Sequence, residues 1–251
     1  MAPVAIIFCG VLVSLIVPAF NEEKLLGASL AEMNSAAKAF TGRGWQVELI
    51  VCDNNSTDRT AEIARAAGAN VVFEPVNQIG RARNTGASVA KGDWFVFVDA
   101  DSHPSERLFA DVAGQIASGR CLAGGATVRM DESGFWSQSM TQLWVCISRW
   151  GKLMAGSFIF VEAAAFREIG GFSQVLFAGE EIDLSKRLKR LARQRDKKII
   201  ILHRHPLKTS ARKLKLYSAR EILVFFVRAA FNQRKMLTSR EKAHIWYDGR
   251  R

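Results

Sequence analysis

The chain has 251 residues, 49% apolar and 24% charged, which is enough apolar surface for a packed core and excludes a disordered chain. With 19 Gly and 5 Pro it is not collagen-like, and its four widely spaced Cys fit neither a zinc ribbon nor a disulfide framework but a reducing compartment. The net charge of +11 is uneven, because residues 186–251 hold 21 of the 35 basic and 4 of the 24 acidic residues, a net +17 that predicts an anionic partner.

The first half of the chain alternates between predicted strands and helices. The short β-branched run at 11–17 predicts a strand buried on both faces, and not a membrane span or a secretory signal. Further strands are predicted at 47–52, 70–73 and 94–98, and helices at about 22–40, 57–67 and 81–90. This alternation predicts an α/β fold with a parallel sheet covered by helices on both faces.

The second half is less regular. Strands are predicted at 121–130, 157–161 and 198–202, and helices at 135–154, 180–193 and 214–235. The last helix has an apolar centre flanked by basic residues, and this apolar stretch is too short to cross a bilayer. It would either lie in a membrane interface or pack as a C-terminal helix.

Three polar clusters follow the predicted strands, at residues 18–23, 53–58 and 99–101. In an open parallel sheet, ligands bind beyond the carboxyl ends of the strands. Turn and capping chemistry would explain one such cluster, but three at one edge of a sheet favour a ligand site.

Asp99 and Asp101 form the cluster with the clearest chemistry. In an extended chain, residues two apart project to the same side, so both carboxylates would face one point beyond the strand. Neighbouring carboxylates repel unless a cation lies between them, and magnesium or manganese suits such oxygen ligands. The alternative is a capping Asp followed by a turn.

Several motifs, in this order, resemble those of family 2 glycosyltransferases, which have a GT-A fold. They are LIVPAFNEE (15–23), VCDNNSTDRT (51–60), GRARNTG (80–86), AKGD (90–93), DAD (99–101), GGF (170–172) and GEEIDL (179–184). The resemblance covers about residues 12–190. It implies a Rossmann-like, mixed and mainly parallel sheet with helices on both faces, plus a basic C-terminal helical extension.

The resemblance also implies a domain organisation. Residues 1–205 would form the GT-A catalytic domain, with a nucleotide-sugar half at about 12–102 and an acceptor half at about 103–205. Residues 206–251 would form the basic extension.

The activity implied is transfer of a sugar from a nucleotide-sugar to an acceptor hydroxyl, with a divalent metal and inversion at the sugar carbon. A UDP-sugar is the expected donor, with GDP- and dTDP-sugars as alternatives. The acceptor would be a membrane lipid or a surface glycan. The protein would be cytoplasmic, with peripheral membrane contact through residues 206–251 and no nucleic-acid partner.

The competing interpretations are a metal-dependent nucleotidyltransferase and a polyanion-binding protein that uses the basic tail.

Site residues follow from the resemblance position by position. The nucleotide would be bound by Pro18, Asn21, Glu22, Asp53, Asn55, Arg81, Arg83 and Asp99. Asp53 would accept a hydrogen bond from the base, Asp99 would contact the ribose and Asp101 would hold the metal. Arg81 has an alternative role in a surface salt bridge.

The general base of the family is an Asp in an acidic pair at the start of a helix. Glu181 occupies that position here, and its extra methylene leaves Asp183 as an alternative base. The acids could also do no more than stabilise the helix N-terminus. His205 is a candidate further metal ligand. Glu180, Lys208 and Arg212 are expected near the diphosphate or the acceptor.

Overall fold

The computed structural model of the protein describes residues 10–130 and 153–210. The prediction of a helix at 135–154 falls mostly outside these residues. The predictions for Arg212, for the helix at 214–235 and for the rest of the basic extension beyond residue 210 lie outside them altogether. Within the described ranges, no helix has both the length and the apolar character needed to cross a bilayer.

Secondary structure follows the alternation predicted from the sequence. The strands are β1 (Leu12–Ala19), β2 (Gln46–Asp53), β3 (Asn70–Phe73), β4 (Trp94–Val98), β5 (Ser102–His103), β6 (Cys121–Met130), β7 (Phe158–Glu162) and β8 (Lys198–Thr209). The helices are α1 (Leu26–Ala36), α2 (Lys38–Thr41), α3 (Thr60–Ala66), α4 (Ile79–Val89), α5 (Glu106–Ala117), α6 (Ala163–Glu168) and α7 (Glu180–Gln194).

The strands form one mixed sheet in the order β3-β2-β1-β4-β7-β6-β8-β5. The first four strands in this order are parallel to one another. β7 runs antiparallel to both of its neighbours, and β5 runs antiparallel to β8, while β6 and β8 are parallel. The prediction of a mixed, mainly parallel sheet is therefore confirmed.

β1 lies inside the sheet and is buried on both faces, as predicted. Val13, Leu15 and Val17 pack on one face with residues of α1, α2 and α5. Ile16 points to the opposite face, where α4, α6 and α7 supply the packing partners. Alternate side chains along the strand therefore enter two separate cores, which explains why the sequence reads as a continuous apolar run.

β8 is longer than the strand predicted at 198–202, because it continues to Thr209. Its pairing with β6 skips from Leu202 to Leu207, and Pro206 lies in this irregular stretch, where no β6 residue is paired with it. The apolar sequence pattern that predicts the strand ends at residue 202, because polar residues and Pro206 follow. The strand nevertheless continues to Thr209, because β6 and β5 pair with its last residues. Residue 205, the predicted end of the catalytic domain, lies inside β8.

Gly86 allows α4 to pack closely on β1. A methyl group at this position would lie 2.6 Å from Ile16 Cγ2, well inside van der Waals contact. Gly114, in the interior of α5, provides a contrast, since a methyl group there would meet nothing within 4 Å.

We therefore expect Gly86→Ala to lower the free energy of unfolding by about 1–3 kcal/mol through overpacking. The matched variant Gly114→Ala should raise it by about 0.4–1 kcal/mol, because alanine restricts the unfolded chain. Urea unfolding of both variants measures the difference. Equal effects of the two substitutions would contradict the close packing of α4 on β1.

Candidate active site

The three polar clusters lie along one edge of the sheet. β1 pairs in parallel with β2 on one side and with β4 on the other, so the three carboxyl ends are adjacent. Ala19, at the end of β1, is in register with Asp53, at the end of β2.

The loops that follow β1 and β2 are bonded to each other through side chains. The Asn21 N–H donates to Ser56 Oγ at 2.9 Å, and Asn21 Oδ1 accepts from the Thr57 N–H at 2.8 Å. Asp53 Oδ1 accepts from the Ser56 N–H at 3.0 Å. Two of the residues predicted to bind the nucleotide therefore also fix the shape of these loops.

The other residues predicted at the ends of β1 and β2 lie at the same edge. Glu22 is buried, and its N–H donates to Thr60 Oγ1 at 2.8 Å. Asn55 is exposed with a φ of 66°, a left-handed conformation that asparagine tolerates better than most residues. Pro18 lies beyond Ile16, the last β1 residue paired with β4.

Asp99 and Asp101 do not lie on an extended chain, so that expectation is wrong. The Ser102 N–H donates to the Asp99 carbonyl at 3.0 Å, which closes a turn directly after β4. Because the chain turns here, Asp99 and Asp101 lack the extended backbone that would direct both side chains to the same side. Asp101 is buried, and its carbonyl accepts from the Ser210 N–H at 3.2 Å.

Arg83 joins the end of β4 to the start of α7. Its side chain is 1% exposed, with Nη1 2.8 Å from Glu180 Oε1 and Nη2 3.0 Å from Asp99 Oδ1. Nη2 also donates to the Gly156 carbonyl at 2.7 Å, and the guanidinium carbon lies 5.1 Å from the centre of the Phe172 ring. Burial by itself would lower the pKa of Arg83, but attraction to the two carboxylates outweighs it and raises the pKa above its ordinary value.

Arg83 was expected to bind the nucleotide, and Glu180 was expected near the diphosphate or the acceptor. The structure encloses both, since the Glu180 side chain is only 5% exposed and is bonded to Arg83. A buried guanidinium needs counter-charges within reach, which Asp99 and Glu180 supply from two different elements. The structure therefore brings three of the predicted site residues together through an ion-pair network.

Arg81 contacts a different carboxylate. Its Nε lies 3.3 Å from Glu74 Oε1, and its Nη1 donates to Gln174 Oε1 at 3.3 Å. Burial by itself raises the pKa of Glu74. Hydrogen bonds from Thr85 and the Val76 N–H, together with Arg81, lower the pKa by a larger amount, so its net shift is downward. The Arg81 side chain remains 34% exposed, so it is partly open to a ligand.

Glu181 and Asp183 have different surroundings. Burial and then repulsion from Glu180 raise the pKa of Glu181 to about 8, and attraction to Arg83 offsets only part of this rise. Asp183 forms an ion pair with Arg187, with 2.7 Å between Oδ2 and Nη2. Because two residues advance about 200° around a helix, the two acids lie on nearly opposite sides of α7.

The structure pairs His205, the candidate further metal ligand, with a carboxylate on another element. Its Nδ1 lies 2.9 Å from Asp111 Oδ2, on helix α5. The nearest strand contact to the turn is made by Thr209, which pairs with Ser102. His205 is four residues earlier, next to Pro206 in the irregular stretch of β8, and its assignment as a metal ligand stays a prediction.

A divalent metal at the strand edge would be held mainly by Asp101. In residues 10–130 and 153–210, no three His, Cys, Asp or Glu side chains converge as a metal-binding group. Magnesium and manganese that act on phosphate substrates are held by one or two carboxylates, with phosphate oxygens and water as the other ligands. One buried carboxylate beside the strand ends fits that type of site.

Lys208 is exposed on β8 and in register with His103, two residues beyond Asp101. Glu74 and Gln78, which belong to none of the predicted polar clusters, are also buried near the site. They lie between β3 and α4, in a segment without any motif. Only their burial beside polar partners identifies them as candidate site residues.

The family model described as "Glycosyl transferase family 2" matches residues 14–169. This range includes the ends of β1, β2 and β4, as well as Arg83. The chain belongs to glycosyl transferase family 2. The family resemblance of the motifs is thereby confirmed.

Curated relatives match a little over a third of this family 2 chain. A 4,4'-diaponeurosporenoate glycosyltransferase of Staphylococcus haemolyticus is 42% identical over 96 residues, which cover 36% of this chain and 24% of the relative. An uncharacterized glycosyltransferase of Mycobacterium tuberculosis is 37% identical over 92 residues, 37% of this chain and 38% of the relative. The matches thus span about a quarter to two fifths of the length of these relatives.

Solved structures share the fold over most of this chain. The mannosyltransferase PcManGT of Pyrobaculum calidifontis, in complex with GDP-Man and Mn2+, has a TM-score of 0.65 at 17% identity and covers 94% of this chain and 69% of that one. S. aureus TarS with UDP-GlcNAc has a TM-score of 0.63 at 21% identity and covers 93% and 69%. Glucosyl-3-phosphoglycerate synthase of Mycobacterium tuberculosis, with Mn2+ and UDP, has a TM-score of 0.59 at 20% identity and covers 88% and 78%. The predicted GT-A fold is confirmed.

The raised pKa of Glu181 has a consequence for stability. The folded protein holds the Glu181 proton up to about pH 8, whereas the unfolded chain releases it near the ordinary value of 4.5. The contribution of this group to stability is therefore present at low pH and is lost as the pH rises between these values. Glutamine does not titrate, so the melting temperature of Glu181→Gln minus that of the wild type should increase from pH 5 to pH 9. Thermal unfolding of both proteins between pH 5 and pH 9 measures this difference in melting temperature. A difference that does not change with pH would contradict the raised pKa.

Proposed function

We propose that this family 2 protein transfers a sugar from a UDP-sugar to an acceptor hydroxyl by direct displacement, with inversion at the sugar carbon. The observation that carries the proposal is the Arg83 ion-pair network, which joins the Asp99 turn to the acidic start of α7. A donor held at the strand ends would thereby be placed beside a candidate base. The complexes of the similar structures with UDP-GlcNAc, UDP and GDP-Man support a nucleotide-sugar donor, and UDP is the nucleotide in two of the three.

The nucleoside would bind at the ends of β1 and β2. Asp53 Oδ1 accepts from the Ser56 N–H, so Oδ2 is the oxygen proposed to accept from the N–H of uracil. The side chains of Asn21 and Asn55, together with Pro18 near the end of β1, would line the same pocket. Because Asn21 and Ser56 bond the two loops to each other, the pocket would be shaped before the donor arrives.

Asp101 is proposed to hold manganese or magnesium together with the diphosphate of the donor. When bound, such an ion neutralises the negative charge that develops on the leaving nucleoside diphosphate. Arg81, one third exposed, is proposed to contact the nucleotide with the N–H groups that Glu74 and Gln174 leave free. Asp99, whose Oδ1 is bonded to Arg83, would contact the ribose with its other oxygen.

Glu181 is proposed as the general base that takes the proton of the acceptor hydroxyl. A pKa of about 8 suits this role, since an effective base has a pKa near the working pH. Its neighbour Glu180 is bonded to Arg83, so the start of α7 is anchored beside the donor site. Asp183 is a weaker candidate, because its carboxylate is already paired with Arg187.

The basic region is proposed to contact an anionic acceptor or membrane. Lys208 is exposed on β8, whose end is bonded to Asp101 through the Ser210 N–H. Together with Arg212 it would bind phosphate groups of the donor or of a lipid-linked acceptor. The positive charge of residues 186–251 favours peripheral contact at the cytoplasmic face of a membrane, with a membrane lipid or a surface glycan as the acceptor.

Calorimetric titration with UDP, with and without manganese, tests the donor site. We expect manganese-dependent binding that Asp101→Ala weakens by about tenfold or more, which is ~1.4 kcal/mol or more. Asp111→Ala is the matched control, because it removes a carboxylate that pairs with His205 away from the strand ends. Absence of UDP binding in the wild type, or equal losses in the two variants, would overturn the assignment.

A further inference from the structure

The segment that leads into the candidate base has no regular structure. Residues 173–178, which we call the base loop, lie between the glycine pair at 170–171 and Gly179. Gly179 is the N-cap of α7 with a φ of 73°, and Glu180 and Glu181 follow it directly. The position of the base loop therefore affects where the helix begins and where its first carboxylates lie.

Gln78 binds the base loop with both hydrogens of its side-chain amide. Its Nε2 donates to the Gln174 carbonyl at 2.9 Å and to the Leu176 carbonyl at 2.8 Å. The side chain is buried, with the residue only 2% exposed. Two hydrogen bonds inside the protein hold the loop more firmly than the same bonds would in water.

The backbone of Gln78 is in turn fixed to the nucleoside side of the site. Its N–H donates to Asn54 Oδ1 at 3.0 Å. Asn54 also donates from Nδ2 to the carbonyls of Glu74 and Val76, at 3.1 and 2.7 Å. The Asn54 N–H itself bonds the Ala19 carbonyl at the end of β1, at 2.8 Å.

A continuous set of hydrogen bonds therefore runs from the strand ends, through Asn54 and Gln78, to the base loop. Asn54 follows Asp53, the proposed ligand of the nucleoside base. The ion pair of Arg83 with Glu180 connects α7 separately to Asp99, directly after β4. The start of α7 thus has two separate connections to the donor side.

We propose that Gln78 is a positioning residue that sets the base loop, and with it Glu181, relative to the bound donor. The inference rests on the proposed function, because it takes Glu181 as the base and the strand ends as the nucleotide site. Gln78 itself contacts neither the donor nor the reacting atoms in this account. Its loss should therefore impair turnover without weakening nucleotide binding.

Gln78→Glu tests this with a side chain of nearly the same shape. A carboxylate oxygen would replace Nε2 and face two carbonyl oxygens, while the backbone bond to Asn54 would remain. Gln78→Met, which loses both donors without adding charge, is the second variant in case the first one fails to fold. Val175→Ala is the matched control, because this side chain is 67% exposed in the same loop and the backbone carbonyls stay in place.

The readouts are UDP affinity with manganese and hydrolysis of UDP-glucose and UDP-GlcNAc by the full chain, with water as the acceptor. We expect kcat to fall about tenfold or more in both Gln78 variants, because an error of about 1 Å in placing a catalytic group costs up to ~100-fold in rate. The Kd for UDP and the KM for the donor should stay within about twofold of the wild type. Val175→Ala should change neither quantity.

Hydrogen exchange of residues 173–183, without any donor, separates this inference from the proposed function. Exchange in this segment should accelerate in the Gln78 variants but not in residues 46–58. If the wild type neither binds UDP nor hydrolyses the donors, the proposed function fails, and the exchange result alone decides whether Gln78 positions the loop. Unchanged exchange, unchanged kcat, or a fall in UDP affinity as large as the fall in kcat would each overturn the proposal.

Discussion

Arg83 is the residue on which the arrangement of the site depends. A guanidinium with 1% exposure is stable only when carboxylates and carbonyls surround it, and its partners come from the turn after β4, from Gly156 and from α7. Asp99 and Glu180 cannot move apart without leaving a charge buried and unpaired. One buried cation therefore fixes the distance between the candidate donor site and the helix that carries the candidate base.

Helix α4, which carries Arg83, makes further contacts around the site through the GRARNTG motif. Arg81 and Arg83 contact carboxylates on different sides of the site, at Glu74 and at Asp99 and Glu180. Asn84 donates to and accepts from the backbone of Phe172, with both hydrogen bonds at 2.9 Å. Gly86 permits the close approach to Ile16 on β1. The motif is thus as much a packing and bridging device as a ligand-binding one.

The sequence predicted the parts of the fold that depend on local patterns. The limits of β3 and β4 match the predicted strands, and the polar clusters lie together at one edge because parallel pairing aligns the ends of β1, β2 and β4. Contacts between distant residues were not predictable in the same way. The partner of Arg83 is Glu180, 97 positions away, and the partner of His205 is Asp111, 94 positions away. No residue spacing indicates such pairs, so these partners could not be inferred from the sequence.

The most direct test of the Arg83 network is a double-mutant cycle on the free energy of unfolding. Arg83→Met, Glu180→Gln and the double variant would be compared with the wild type by urea unfolding. If the two side chains form a buried ion pair, their effects should be non-additive by at least about 1 kcal/mol, with the double variant less destabilised than the sum of the single ones. Additive effects within ~0.5 kcal/mol would show that Arg83 and Glu180 act independently, and would contradict a site held together by this pair.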